Sequence, residues 1–315
     1  MAEILKGKPV ADAICEKVKA QVDVLKARGV APTLAILRVG ENPDDLAYER
    51  GAIKRCESVG IEVKVCALRE DAGAETFYKT LNELNEDETV HGILMMRPLP
   101  KHIDEEKARA MLRPEKDVDG CTDGSLAAVF TDKICDGANA GAPAKIDQAN
   151  AGAPAGNGFA PCTAQAVLEI LDYYGIDPKG KRVTIIGRSL VIGKPVAMML
   201  MRRQATPTIC HHFTPNLCEI AQSADILITS AGHPEIFGAE MVRGGAGSLD
   251  QANAGGQVVI DVGISWSEEK QKICGDMKFE EVEPIVGAIT PVPGGIGTVT
   301  TSVLAKHVVE AAERI

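Results

Sequence analysis

The segment VTIIGRSLVIGKP, Val183 to Pro195, constrains this chain more than any other. Val183, Thr184, Ile185 and Ile186 make an apolar, β-branched run that reads as a buried strand. The run ends in Gly187, followed by Arg188 and Ser189. A second glycine, Gly193, stands at the mouth of an apolar stretch, Pro195 to Leu200, that reads as a helix. Strand, glycine turn and helix together build a cradle for a dinucleotide phosphate. Glycine admits close approach of the backbone, and the helix N-terminus faces the negative charge. The pattern is not the full GxGxxG, and read alone it is equally an ordinary tight turn.

Composition bounds the alternatives. At 315 residues the chain exceeds the usual size of a single core, so two domains are expected. Hydrophobic residues make up 45% and charged residues 25%, the mix of a globular protein, while only 3% aromatics demand an aliphatic core. A net charge of −10 argues against nucleic-acid binding, though local Arg and Lys can still receive an anion. The nine cysteines (Cys15, Cys56, Cys66, Cys121, Cys135, Cys162, Cys210, Cys218 and Cys274) show no CxxC pair and no metal-like spacing. No metal site is expected, and most of these thiols sit in apolar runs as small hydrophobes. That usage suits a reducing compartment. The opening MAEILKGKPV lacks the apolar core of a signal peptide, and no segment reaches the ~18 apolar residues of a membrane helix. A soluble, cytoplasmic protein without membrane contact is expected.

The first half alternates helix and strand. Val10, Ile14, Val18, Val22 and Leu25 recur at helical spacing up to Gly29. Strands are expected at Thr33–Gly40, Glu62–Leu68 and Gly92–Met96, with helices from about Asp45 to Ser58 and from Thr76 to Leu84. The second half repeats the theme: helix Thr163–Tyr174, the strand from Val183, then strands Thr208–Cys210, Asp225–Thr229 and Val258–Val262, and a last helix from about Thr298 to Arg314. Such alternation predicts an α/β protein with parallel sheets covered on both faces. Between the halves, Asp136 to Gly158 carries NAGAPA twice, and DQANAG recurs at Asp250–Gly255. These tracts read as solvent-exposed insertions without catalytic residues.

Four further segments accompany the glycine turn: VGENPDDLAYERGAIKR (Val39–Arg55), RPLP to PEKDVDG (Arg97–Gly120), PCT (Pro161–Thr163) and ITPVPGGIGTVT (Ile289–Thr300). In this order they resemble the methylenetetrahydrofolate dehydrogenase/cyclohydrolase family over nearly the whole chain outside the insertions. The resemblance implies two α/β domains around a cleft, the C-terminal one a Rossmann-type dinucleotide-binding domain. Residues 1–135 would form the folate-binding catalytic domain, joined by the helix at 298–315, with 136–158 inserted and 159–297 binding NAD(P). It also implies a homodimer that oxidises 5,10-methylenetetrahydrofolate.

By the same resemblance Asp119 binds the pterin, Tyr48 lies over it, and Pro293, Gly294 and Gly295 form a loop against the substrate. Tyr48 and Asp119 are the catalytic candidates. Their bland readings are a core tyrosine and a turn-forming aspartate before Gly120. Gly187, Arg188 and Ser189 match the cofactor's phosphate and ribose contacts, and Ile264 matches a backbone contact near the nicotinamide. Arg188 offers a planar fork for a 2′-phosphate, which favours NADP, with NAD the alternative. A family serine at that phosphate is His212 here. Histidine can donate to phosphate, or His211 and His212 can simply close a strand.

The pattern breaks in two places. Bifunctional relatives carry a lysine four residues after the tyrosine and a glutamine just before the PLP segment, and both serve the second reaction, hydrolysis of the methenyl product. Here those positions are Ala52 and Met96, and neither side chain can move a proton. Lys54 is rotated about 120° from Tyr48 on a helix, and Arg50 is off that face as well. The reading is therefore a dehydrogenase with weak or absent cyclohydrolase activity, a separate cyclohydrolase taking its product. A bifunctional enzyme is the alternative. Arg97 either meets the acidic tail of folate or is solvated. A Rossmann dehydrogenase of amino or hydroxy acids would need an acid/base residue that the chain does not offer near PVPGG or KDVDG. A folate binder without turnover would have no use for the dinucleotide cradle.

Overall fold

A computed structural model describes residues 2–134, 158–243 and 256–314. Apart from Gly158, the tract at Asp136–Gly158 lies outside the described residues, as does the copy at Asp250–Gly255. In chain order the first elements are β1 (Glu3–Ile4), α1 (Gly7–Ala27), β2 (Thr33–Val39), α2 (Pro43–Ser58), β3 (Glu62–Leu68), α3 (Ala74–Glu86), β4 (Gly92–Met95), α4 (Glu105–Met111) and α5 (Asp123–Phe130). They are followed by α6 (Cys162–Tyr173), β5 (Arg182–Ile186), α7 (Gly193–Arg202), β6 (Thr206–Cys210), α8 (Leu217–Ser223) and β7 (Ile226–Thr229). The chain then forms β8 (Val258–Asp261), β9 (Ser265–Ser267), β10 (Lys272–Cys274), α9 (Phe279–Val282), β11 (Ala288–Ile289) and α10 (Ile296–Ala312).

Two compact units result: Ala13–Cys162 with Thr301–Ile315, and Met1–Asp12 with Thr163–Thr300. In the first, three parallel strands run in the order β3-β2-β4. Central β2 is buried from Leu34 to Leu37, and β4, at the end of the sheet, is buried at every position. Helix α3 presents Phe77, Leu81 and Leu84 at helical spacing, and these pack with Ala35, Leu37, Ile93 and Met95. Helix α2 starts where its sequence dictates: the Asn42 side chain accepts from the Asp44 amide, Pro43 occupies the first turn, and Asp44 and Asp45 meet the positive end of the helix.

The second unit holds a six-stranded sheet in the order β1-β11-β8-β7-β5-β6, every pairing parallel. Strand β7 is wholly buried, as expected of a strand covered on both faces. The chain passes from β5 outward to β6 and then returns to the other side of β5 at β7. This reversal is a topological switch point, where ligands of open α/β sheets bind. An antiparallel hairpin, β9 with β10, stands apart from the sheet.

The strands and long helices lie within a few residues of where the sequence pattern puts them. Local pattern does not reveal β1, β11, the β9–β10 hairpin or the short helices α4, α5, α8 and α9. The resemblance assigns residues 1–135 to one domain, whereas the first twelve residues cluster with the six-stranded unit. The cause is long-range pairing: the Glu3 amide donates to the Gly287 carbonyl at 2.8 Å and the Leu5 amide to the Ile289 carbonyl at 2.9 Å. Phe77 is fully buried in the first unit. Phe77→Ala is expected to destabilise that unit by about 3–5 kcal/mol, read as a lower urea midpoint in tertiary circular dichroism.

Candidate active site

Because the six strands are parallel, the residues that follow β5, β6, β7, β8 and β11 emerge on one edge of the sheet. Gly187, Arg188 and Ser189 follow β5, His212 comes two residues after β6, and Ile264 three residues after β8. Pro293, Gly294 and Gly295 lie between β11 and α10. All eight predicted residues of this unit therefore share the carboxyl edge.

The glycines there are required by distance. Gly187 has φ +131°, and a Cβ on it would stand 2.4 Å from the Ser230 carbonyl oxygen. A Cβ on Gly193 would meet the Gly187 carbonyl oxygen at 2.1 Å. The turn is closed by the Gly187 amide donating to Cys210 and the Ser230 amide donating to Ile186, at 2.9 and 2.8 Å. Ser189 accepts from the Ile192 amide at 3.1 Å, ordering the approach to α7. Arg188 is exposed and free to reach an anion. His211 Nδ1 accepts from the Phe213 amide at 3.2 Å, while His212 is exposed with its ring centroid 3.8 Å from that of Phe213. Ile264 is 64% exposed. In the last loop Gly294 has φ +103° and accepts from the Gly7 amide at 2.7 Å, and a Cβ on Gly295 would lie 2.5 Å from the Pro291 carbonyl oxygen.

Two interior carboxylates fix these loops. Asp261 accepts from the amides of Gly263, Asp276 and Met277 at 3.0, 3.1 and 2.9 Å, and from the Thr229 hydroxyl at 3.1 Å. Burial pushes its carboxyl up to about 6, against the pull of those amides. Asp276 accepts from the amides of Ala231, Gly232 and His233, the loop after β7.

The other unit carries Tyr48, on α2, and Asp119, in the turn after Asp117. Burial holds the Tyr48 phenol well above its usual range, and the charge of nearby Asp119 is the next cause. Asp119 itself is pushed up to about 6 by burial, with the Arg97 guanidinium pulling the other way. Arg97 Nη2 is 3.9 Å from Asp119 Oδ2, its Nη1 is 3.6 Å from Glu105 Oε1, and its Nε is buried with no hydrogen-bond partner. Asp117 is fully buried and accepts from the amides of Cys121 and Thr122 at 3.0 and 2.7 Å and from the Ser125 hydroxyl at 2.6 Å. Next to it, the Val118 carbonyl accepts from His307 Nδ1 at 2.9 Å and from the Cys162 thiol at 3.3 Å. Ala52, one helical turn beyond Tyr48, is fully buried, and Met96 is buried beside β4. Lys54 and Arg50 are exposed.

The carboxyl edge fits a dinucleotide: a glycine cradle, a helix start and an exposed guanidinium converge there. The Tyr48–Asp119 pair fits a flat heterocycle with donors along one edge. Sequence reasoning missed Arg97's link to Asp119 and the loop-fixing roles of Asp117, Asp261 and Asp276. Asp117 stood in KDVDG and Asp261 in DVGIS, but only the folded backbone shows which amides they receive. Among the described residues no cluster of His, Cys, Asp or Glu could hold a metal ion, and no helix is long and apolar enough to cross a membrane.

Comparison with known proteins also divides the chain into two parts. Residues 5–119 match the model of the tetrahydrofolate dehydrogenase/cyclohydrolase catalytic domain, and residues 161–315 match that family's NAD(P)-binding domain. The chain is 46% identical over 314 residues to "Bifunctional protein FolD" of Carboxydothermus hydrogenoformans, covering 99% of this chain and 98% of that one. It is similar to the crystal structure of the bifunctional methylenetetrahydrofolate dehydrogenase/cyclohydrolase of Campylobacter jejuni, with TM-score 0.85, 33% identity, and 100% and 99% of the two chains covered. The Trypanosoma brucei enzyme, solved with NADP cofactor and an inhibitor, is 30% identical with TM-score 0.83, covering 99% and 98%.

Gly187→Ala is expected to cost roughly 1–3 kcal/mol through its left-handed φ and its contact with Ser230. The accompanying loss of dinucleotide binding is read by cofactor fluorescence, and the melting temperature reports the strain.

Proposed function

The chain belongs to the tetrahydrofolate dehydrogenase/cyclohydrolase family, and on that premise we propose that it oxidises 5,10-methylenetetrahydrofolate to 5,10-methenyltetrahydrofolate. The observation that carries the reading is the glycine-built carboxyl edge of one unit together with the Tyr48–Asp119 pair of the other, under a family match that spans both.

The chemistry asks little proton transfer of the protein. Hydride leaves a carbon held between two nitrogens, and a nitrogen lone pair drives it out, so catalysis is positioning. Asp119, ionised at neutral pH, accepts from the pterin's ring donors, and the Tyr48 ring covers the pterin. Pro293, Gly294 and Gly295 bring backbone close to the substrate. Gly187, Arg188 and Ser189 hold the cofactor's phosphates and ribose, and Ile264 lies at its nicotinamide end. The bound nicotinamide supplies the hydride acceptor. Arg188 and His212 favour NADP over NAD, which the NADP-bound trypanosomal relative supports. The functional domains are then a folate-binding unit and an NAD(P)-binding unit. A homodimer is proposed from the resemblance. A cytoplasmic location is supported by the eight described cysteines, all free.

The names of the relatives carry both activities, and they support a bifunctional enzyme better than a dehydrogenase alone. A second reading, with cyclohydrolase activity weak or absent, is supported by the buried Ala52 and Met96, which offer the ring-opening step no side chain that moves a proton. A separate cyclohydrolase would then act on the product. Purified protein mixed with 5,10-methenyltetrahydrofolate decides between them. Decay at the uncatalysed rate supports the second reading, and faster decay that a site-directed inhibitor stops supports the bifunctional enzyme. Absence of methylene-folate oxidation with either dinucleotide would overturn the proposal itself.

Asp119 also sets a pH dependence. Below about pH 6 its carboxyl takes up a proton and loses the charge and acceptor that hold the pterin. Accordingly kcat/KM for the folate is expected to fall as pH drops through that value. Asp119→Asn is expected to lower it at neutral pH and to flatten the acid limb, measured in steady-state assays from pH 5 to 8.

A further inference from the structure

Arg97 stands beside Asp119, yet the reaction as described makes no use of it. A guanidinium carries five N–H donors in a rigid plane. Here Nη1 and Nη2 lie 3.6 and 3.9 Å from Glu105 and Asp119, longer than hydrogen bonds, and Nε is buried without an acceptor. Glu105 is itself anchored, its other oxygen accepting from the Leu99 amide at 3.1 Å. The guanidinium is thus held between two carboxylates with its buried Nε–H unspent, and buried donors without an acceptor are rare.

We propose that Arg97 is a specificity-determining residue that donates to the 4-oxo oxygen of the pterin. This deepens the folate reading given above and rests on it. The pyrimidine edge of a reduced pterin presents the 2-amino group and N3–H as donors and the adjacent 4-oxo as an acceptor. Asp119 complements the donors, and Arg97 complements the acceptor beside them. The carboxylate and guanidinium together read the whole edge. A folate's glutamate tail is a poor occupant for this place, because it leaves the pteridine at the opposite end and would bring negative charge against Asp119 and Glu105. Arg97 also favours the ionised form of Asp119, the form that accepts from the ring.

The test compares two tetrahydrofolate analogues that differ only in a 4-oxo or a 4-amino group, as inhibitors of methylene-folate oxidation by wild type, Arg97→Met and Arg97→Lys. Mono- and pentaglutamate substrates are run in parallel. Wild type is expected to prefer the 4-oxo analogue, and Arg97→Met to lose at least about tenfold of that preference. Arg97→Lys is expected to lose part of it, since a lysine lacks the planar fork. In both variants the KM for NADP stays unchanged, and in Arg97→Met the acid limb of kcat/KM moves to higher pH. Undiminished 4-oxo preference in Arg97→Met overturns the proposal, as does a loss confined to polyglutamate preference. Should Arg97→Met fail to fold by thermal melting, undiminished 4-oxo preference in Arg97→Lys overturns it instead. A wild type that neither oxidises nor binds reduced folates would sink the folate reading, and this assignment with it.

Discussion

Backbone amides donating to interior carboxylates fix the loops that carry the proposed ligand-binding residues. In one unit Asp117 gathers the amides of Cys121 and Thr122 and the Ser125 hydroxyl, and so sets the turn that carries Asp119. In the other, Asp261 and Asp276 gather six amides between them from the segments after β7 and β8 and around β10. Each is a charge taken out of water, tolerable because several N–H groups converge on it. Losing one of these carboxylates would leave its amides unpaired in the interior, so the loops would lose their shape even though no ligand contact had been removed.

What the sequence disclosed, and what it withheld, follows from range. Apolar β-branched runs such as Val183–Ile186 and the helical spacing of Phe77, Leu81 and Leu84 are local signals, and they mark out the sheets and the long helices. The glycine turn was also local, though its necessity was not. Only the fold shows that Gly187 lies against Ser230, more than forty residues onward, and that Gly193 lies against Gly187. The two-residue strands β1 and β11 have no periodicity to detect, and they exist because they pair with each other and with β8. Tyr48 and Asp119 were named through a resemblance. Their mutual influence, and the place of Arg97 between Asp119 and Glu105, came from tertiary structure alone.

The apolar pair Ala52 and Met96 contrasts with Arg97. In this unit the positions that would move protons are hydrocarbon or thioether, while a permanent cation stands next to Met96 in the chain. Guanidinium keeps its proton throughout the neutral range, so it offers orientation and charge but no relay. The names of the relatives nonetheless carry both activities.

The pairing of Glu3 with Ala288 has a consequence for how the chain comes to be built. Strand β1 finds its neighbour only after the more than 280 residues that separate Glu3 from Ala288 have been synthesised. Until then its edge has no partner in its own sheet, and the six-stranded layer stays two strands short, lacking β11 as well as β1. Completion of that layer is accordingly a late event in biosynthesis, with a loop-closure cost met only after the rest of the unit has formed.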